Sequence, residues 1–191
     1  MKIVGGAGPA NLTYRGSGNA ELHAGQQAST LAGGSGSNSL YGGPGDDTII
    51  LGSGTNLVDG GAGHNTIVVE APILQNATVS GGTAANNSLE VLGNPNTFAI
   101  GLTPTGGSID VSITNSPGKP AVDLMMSNFG DVFVSAQDSS TNFTVGDLAA
   151  AGIQQLTLNI VASFSTARTI DFDTRYGNAA SVVAVHAFDN S

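Results

Sequence analysis

The sequence predicts an all-β solenoid, a stack of short coils along one axis, and three observations carry that prediction. Six glycine-rich nonapeptides follow one another without a gap over residues 15–68. Each carries one branched aliphatic residue at its eighth position: Leu22, Leu31, Leu40, Ile49, Val58 and Ile67. Beyond them glycine thins out, and short β-prone segments separated by turn residues take over. Repetition at a short fixed period with one apolar position per unit marks an array whose units bury that residue only by stacking on neighbours.

The array opens with a looser copy, GGAGPANLT, at residues 5–13, after which Tyr14 is inserted. The regular units are RGSGNAELH, AGQQASTLA, GGSGSNSLY, GGPGDDTII, LGSGTNLVD and GGAGHNTIV. Their second position is always Gly, and the fourth is Gly in all but the second unit, where Gln27 stands. Glycine at these two places is expected to supply the positive φ of a tight turn. Of the 28 glycines, 17 precede Val69 and 11 are spread over the remainder, which divides the chain into residues 1–70 and 71–191.

In the second part strands are expected at residues 77–79, 88–92, 97–100, 108–114, 121–125, 131–135, 142–145, 155–162, 168–173 and 180–188. Strict alternation, as in Ile109, Val111, Ile113 and in Leu156, Leu158, Ile160, reads as half-buried strands bounded by Gly, Pro, Asn and Ser turns. Only residues 145–152, VGDLAAAG, read as a helical turn, with Gly152 as its stop. Two architectures fit this part: continuation of the solenoid with irregular coils, or a separate β-sandwich. Continuation is favoured, because short strands gain most on an existing template and an open end of the array needs covering.

Composition excludes several functions. Five Lys+Arg against 14 Asp+Glu give a net charge of -9, too few cations to neutralise a nucleic-acid backbone or to adsorb to anionic lipid. No apolar run reaches the roughly 20 residues that span a bilayer. The chain has no Cys, and its three histidines, His23, His64 and His186, show no zinc-ligand spacing. The start, MKIVGGAG, has no apolar core of a signal peptide. That leaves an intracellular protein, export by another signal, or an excised fragment.

The units resemble the repeats-in-toxin (RTX) nonapeptide G-G-x-G-x-D-x-U-x, in which U is a large aliphatic residue. The resemblance implies a right-handed parallel β-roll in which six residues turn, three form a strand, and two units make one coil. Each unit then stacks on the next but one. The core columns become Leu22, Leu40, Val58 and Leu31, Ile49, Ile67, and the sixth positions become Ala20, Asn38, Asn56 and Ser29, Asp47, Asn65. In the family the sixth position is an Asp that binds calcium between stacked turns together with backbone carbonyls. Here only Asp47 is a carboxylate.

The resemblance therefore implies a weak or vestigial calcium site at Ser29, Asp47 and Asn65, with the carbonyls of Gly43, Gly45, Gly61 and Gly63 alongside, because affinity follows ligand charge. The competing expectation is that Asn38, Asn56 and Asn65 replace the metal by hydrogen bonds to the turns. The resemblance also implies a secreted, extracellular or cell-surface module of a bacterial surface-layer, adhesin or exoenzyme, exported by a type I route, with the tail SVVAVHAFDNS as a loose match to its signal. The expected role is non-catalytic and structural, with a polysaccharide or cell surface as partner. The alternatives are a glycan-binding accessory module or part of a polysaccharide-modifying enzyme. For the enzyme, Asp171 and Asp173 would form a carboxylate pair on one strand face, helped by Arg175 and Tyr176. The simpler reading buries Ile170 and Phe172 and leaves the two acids in water beside Arg168 and Arg175. Thr30, Thr48 and Thr66 align in one rank, too short an array for an ice-binding face and explained by β-propensity.

Overall fold

The computed structural model describes residues 1–70, 75–84, 86–93, 99–114, 120–136, 142–146, 148–162, 170–172 and 182–189. The chain alternates between two sheets. Its first strands are β1 (Lys2–Val4), β2 (Asn11–Thr13), β3 (Ala20–His23), β4 (Thr30–Ala32), β5 (Asn38–Tyr41), β6 (Thr48–Ile50), β7 (Asn56–Asp59), β8 (Thr66–Glu70), β9 (Ala77–Ser80) and β10 (Ser88–Leu92). Odd strands build one sheet and even strands the other, and every pairing among these ten is parallel.

The register sets the core. Leu22 pairs with Leu40 and Leu40 with Val58, while Leu31 pairs with Ile49 and Ile49 with Ile67. All six are at most 2% exposed. The two columns predicted from the eighth positions are therefore the core of a parallel β-solenoid. Val79 and Leu89 extend them into the second part of the chain. A coil this thin has no second layer, so each rung depends on the rungs above and below it.

The glycines serve the stacking more than the turn angle. Positive φ occurs in the repeats only at Gly43, Gly61 and Gly63. Elsewhere the lost Cβ makes room for the preceding coil: a Cβ at Gly34 would strike the carbonyl oxygen of Gly16, and one at Gly52 that of Gly34. The expectation of a positive φ at every unit is corrected accordingly. Close approach of turn to turn is the common requirement.

The solenoid continues after residue 70, its two sheets running on through the described residues in place of a separate sandwich. The strands are β11 (Ala99–Thr105), β12 (Ser108–Thr114), β13 (Val122–Ser127), β14 (Asp131–Ala136), β15 (Asn142–Val145), β16 (Gln155–Ala162), β17 (Ile170–Phe172) and β18 (Val182–Asp189). The even sheet runs on in parallel through β10, β14, β16 and β18. The odd sheet does something new. Between β9 and β15 it admits a three-stranded antiparallel meander, in the order β13, β12, β11, closed by a turn at Gly106 and Gly107, both with positive φ. Among the described residues the odd sheet thus has ten strands and the even sheet eight. Pro104 ends no strand, because β15 pairs with β11 only as far as Leu102 and leaves Pro104 no ladder bond to lose on that side.

Buried Phe129, Leu148 and Ile153 lie in the connections around this widening. Leu148 starts a single turn of 3-10 helix, Leu148–Ala151, that packs on β11 and β12 and stops at Gly152, φ 79°. The expected helical turn is there, shorter than its sequence. No α-helix occurs among the described residues, and none of their helices is long and apolar enough to cross a membrane.

Candidate cation site in the stacked turns

The sixth position of each unit lies where a turn enters its strand, and its side chain folds under the turn. Asn38 Nδ2 donates to the carbonyls of Gly34 (3.0 Å) and Gly36 (2.7 Å), and Asn56 Nδ2 to those of Gly52 (2.7 Å) and Gly54 (2.6 Å). Asn65 Nδ2 reaches the carbonyls of Ala62, Gly63 and Gly81, the last at 3.0 Å across to the next coil. Each of these three turns therefore gathers a ring of carbonyl oxygens, and an amide NH2 sits in it. All three asparagines are at most 2% exposed.

Oxygens on the same side chains hold the coils together. Asn65 Oδ1 accepts from Asp47 N at 2.9 Å, Asp47 Oδ1 from Ser29 N at 2.7 Å, and Asn87 Oδ1 from Asn65 N at 2.8 Å. Ser29, Asp47, Asn65 and Asn87 form one buried ladder. Asn87 escaped the sequence reading because its coil is longer than two nonapeptides, placing it 22 positions after Asn65 where the regular coils repeat at 18. The signal was present: Gly81, Gly82, then Asn87, Ser88, Leu89 repeat the pattern of the Gly60–Gly61 unit. Asn87 is fully buried, and its Nδ2 donates to the carbonyls of Ala84 and Asn128.

Asp47 breaks the pattern. Its Oδ1 is spoken for, but Oδ2 is buried without a hydrogen-bond partner. The glycines locate that atom. A Cβ at Gly60 would meet Gly81 O and, at 2.8 Å, Asn65 Nδ2; a Cβ at Gly42 would meet Gly60 O and, at 2.8 Å, Asp47 Oδ2. Asp47 Oδ2 thus occupies the place that Asn65 fills with a donor, among oxygens that need one. Burial pushes the Asp47 carboxyl up to about 6, with Asp46 adding to the rise and the Ser29 N–H opposing it. A proton or a cation would supply the missing positive charge.

The donor set fits a cation only narrowly. Ser29 Oγ accepts from Ala10 N and donates to Gln27 O, Gly43 O accepts from Ala62 N, Gly61 O from Thr83 N, and Gly63 O from Asn65 Nδ2. Of the predicted ligands, Asp47 Oδ2 and the carbonyl of Gly45 are left. Calcium takes about 6–8 oxygens, so the rest would come from nearby carbonyls such as Gly60 O and from water. No group of three or more His, Cys, Asp or Glu side chains exists among the described residues. His23 stacks on Tyr41 with ring centroids 4.6 Å apart and meets Glu21 Oε1 through Nε2, while the backbone N–H of exposed His64 donates to Asp46 Oδ1. Asp173 lies outside the described residues, as do Arg168, Arg175 and Tyr176. For Asp171 only the backbone, in β17, is described.

Stacked glycine turns, one aliphatic residue per rung and a polar ladder beneath the turns define a nonapeptide-repeat β-solenoid. The family model of the RTX calcium-binding nonapeptide repeat, which spans four copies of the repeat, matches residues 14–49 and again, overlapping, residues 32–67. The N-terminal region of this chain carries RTX repeats and folds as a β-roll. Among curated proteins and among solved structures nothing matches the chain.

Proposed function

We propose that the protein is a non-catalytic structural module of a secreted bacterial protein, a surface-layer protein, adhesin or exoenzyme, whose roll holds together without metal and binds calcium weakly at Asp47. RTX repeats occur in secreted bacterial proteins, and the acidic, Cys-free composition suits that setting. The observation that carries the reading is the amide in the carbonyl ring. Where a cation would sit between carbonyls, Asn38, Asn56 and Asn65 place an NH2 group that forms two or three hydrogen bonds. A roll whose metal is indispensable has binding energy as its folding energy; here hydrogen bonds within the chain take that part.

The test is thermal melting in millimolar calcium and in chelator, for the parent and for Asn65→Asp. The parent is expected to melt within a few degrees in both solutions. Asn65→Asp exchanges the donor for a second carboxylate oxygen beside Asp47, so it should melt well below the parent in chelator and recover in calcium. A large calcium shift in the parent would sink the reading.

Binding of a neutral glycan along a strand face is a second reading, favoured by an open groove of about 730 Å³ beside the odd sheet. It runs across five coils, from Lys2 to Thr78, and its lining includes Asn19, Ser37, Thr55 and Asn76, with exposed Leu57 as an apolar patch for a sugar ring. Retention on immobilised neutral polysaccharide that falls with Leu57→Asp would support it. Equal retention of both proteins would remove it.

A further inference from the structure

The sequence contains one Asp–Gly pair and no Asn–Gly, and that pair is Asp59–Gly60, where β7 runs into its turn. An aspartyl residue followed by glycine carries a latent reaction. The amide nitrogen of the glycine can attack the side-chain carboxyl carbon, and glycine, having no Cβ, hinders that approach least. To do so the nitrogen must swing towards the carboxyl, and the planar peptide group turns only as a unit.

In the roll this peptide group is held at both edges. Asp59 O accepts from Gly42 N of the preceding coil at 2.9 Å, and Gly60 N donates to Ser80 O of the following coil at 3.0 Å. The carboxyl is turned past the nucleophile as well, since its Oδ1 accepts from Gly61 N at 3.0 Å. Asp59 is exposed, so water reaches it. Three hydrogen bonds, two of them between coils, therefore separate a reactive pair from its reaction. The turn has no space for added backbone: a Cβ at Gly60 would strike Gly81 O and Asn65 Nδ2, which are themselves hydrogen-bonded across the coils.

We propose that Asp59–Gly60 is a one-way covalent latch, which isomerises when β7 parts from the neighbouring coils and then keeps that rung from reclosing. The only co-reactant is water. Gly60 N forms a bond to Asp59 Cγ, the Cγ–OH bond breaks, and the hydroxyl leaves as water with the amide proton. A second water opens the five-membered imide. Its attack at Cγ restores aspartate. Attack at the main-chain carbonyl carbon breaks the bond from that carbon to Gly60 N and leaves isoaspartate, whose backbone is longer by one CH2. The longer backbone cannot return both ends of the peptide group to Gly42 N and Ser80 O in a turn without spare room. Isomerisation is slow against the opening and closing of a coil, so its rate follows the fraction of molecules in which this rung is open.

The experiment is incubation of the whole chain in neutral buffer, folded and in urea, with residue 59 followed over time. Electron-transfer fragmentation of the digested chain separates aspartate from isoaspartate, and the imide shows as the loss of one water. The folded parent is expected to accumulate isoaspartate at least about tenfold more slowly than the parent in urea. Val58→Ala removes two buried methyl groups beside the latch and should raise the folded rate about tenfold. Val145→Ala makes the same change on β15, five strands away in the odd sheet, and should leave the rate near the parent's. Circular dichroism checks that each variant is folded, and Val79→Ala tests the same rung from β9 should Val58→Ala not fold. Equal rates in the folded chain and in urea overturn the proposal, as does the absence of isoaspartate in urea. So does equal acceleration by the changes on β7 and β15, which would make global unfolding the gate. A melting curve of the isomerised protein that matches the parent's would show that the rung recloses, and it also overturns the latch. Loss of the β spectrum in both Val58→Ala and Val79→Ala does the same, because the roll would then open as one unit.

Discussion

Asp47 and Asn65 differ by one atom, an oxygen in place of a nitrogen, and that atom faces the same ring of carbonyls in neighbouring coils. The sign of its effect on stability follows from the carboxyl being raised from 3.8 to about 6 by burial. Between those values the folded state binds a proton that the unfolded chain has released. Stability from this group is therefore full below about pH 4 and is lost as pH rises through 6. Asp47→Asn supplies a permanent donor to the ring. It is expected to stabilise the protein at pH 7 by about 1–3 kcal/mol, the cost of a buried orphan group, and to flatten the pH dependence between 4 and 7. Denaturant melts at pH 4 and pH 7 measure both effects. A variant less stable than the parent at pH 7 in chelator would show that Oδ2 is not the liability described.

At the scale of one turn column, the ladder is as good as its worst rung. In the column of Ala20, Asn38 and Asn56, Asn56 Oδ1 accepts from Asn38 Nδ2 at 3.3 Å, but Asn38 Oδ1 is buried without a donor. The cause lies one coil back, where β3 begins with Ala20, a methyl in place of an amide. Ala20→Asn would place an Nδ2 above Asn38 and carbonyls of the Arg15–Asn19 turn around it. The expected gain is about 1 kcal/mol for a satisfied acceptor, read as a rise in melting temperature of a few degrees. No rise, with the parent's spectrum intact, would mean that water already meets Asn38 Oδ1. The sequence showed this column and its gap, since Ala20 stands out against two asparagines. It did not show which way each amide would face, because that depends on the carbonyls of a turn and on the coil beyond.

For the whole molecule, period carried the prediction and its loss limited it. While units keep to nine residues, register is arithmetic, and all six apolar residues from Leu22 to Ile67 fell into their columns. After residue 70 the sequence still marked strands: the segments at 88–92, 108–114, 142–145 and 155–162 match β10, β12, β15 and β16 at both ends. It could not say that β12 runs backwards or that β13, not β11, stacks on β9, because local alternation is blind to direction and to the order of strands across a sheet. Asn87 was hidden for the same reason, a turn that left the nine-residue rhythm.

Parallel stacking at one coil per rung also makes the roll a store of length. A coil of 18 residues, such as the one from Leu22 to Leu40, advances the stack by one strand spacing, about 4.8 Å. Drawn out, it spans about 60 Å, more than tenfold its folded rise. Tension applied to the first strand would peel one coil at a time, each opening a single parallel pair in each sheet and one rung of the turn ladder. The meander would resist more than the coils before it, since β11 and β12 share seven paired positions and β12 and β13 six, against three to five for those coils. Pulled from its N-terminus in an optical trap, the chain is expected to lengthen in repeated steps near that length before a final larger release. One all-or-none extension would mean that the coils do not yield separately.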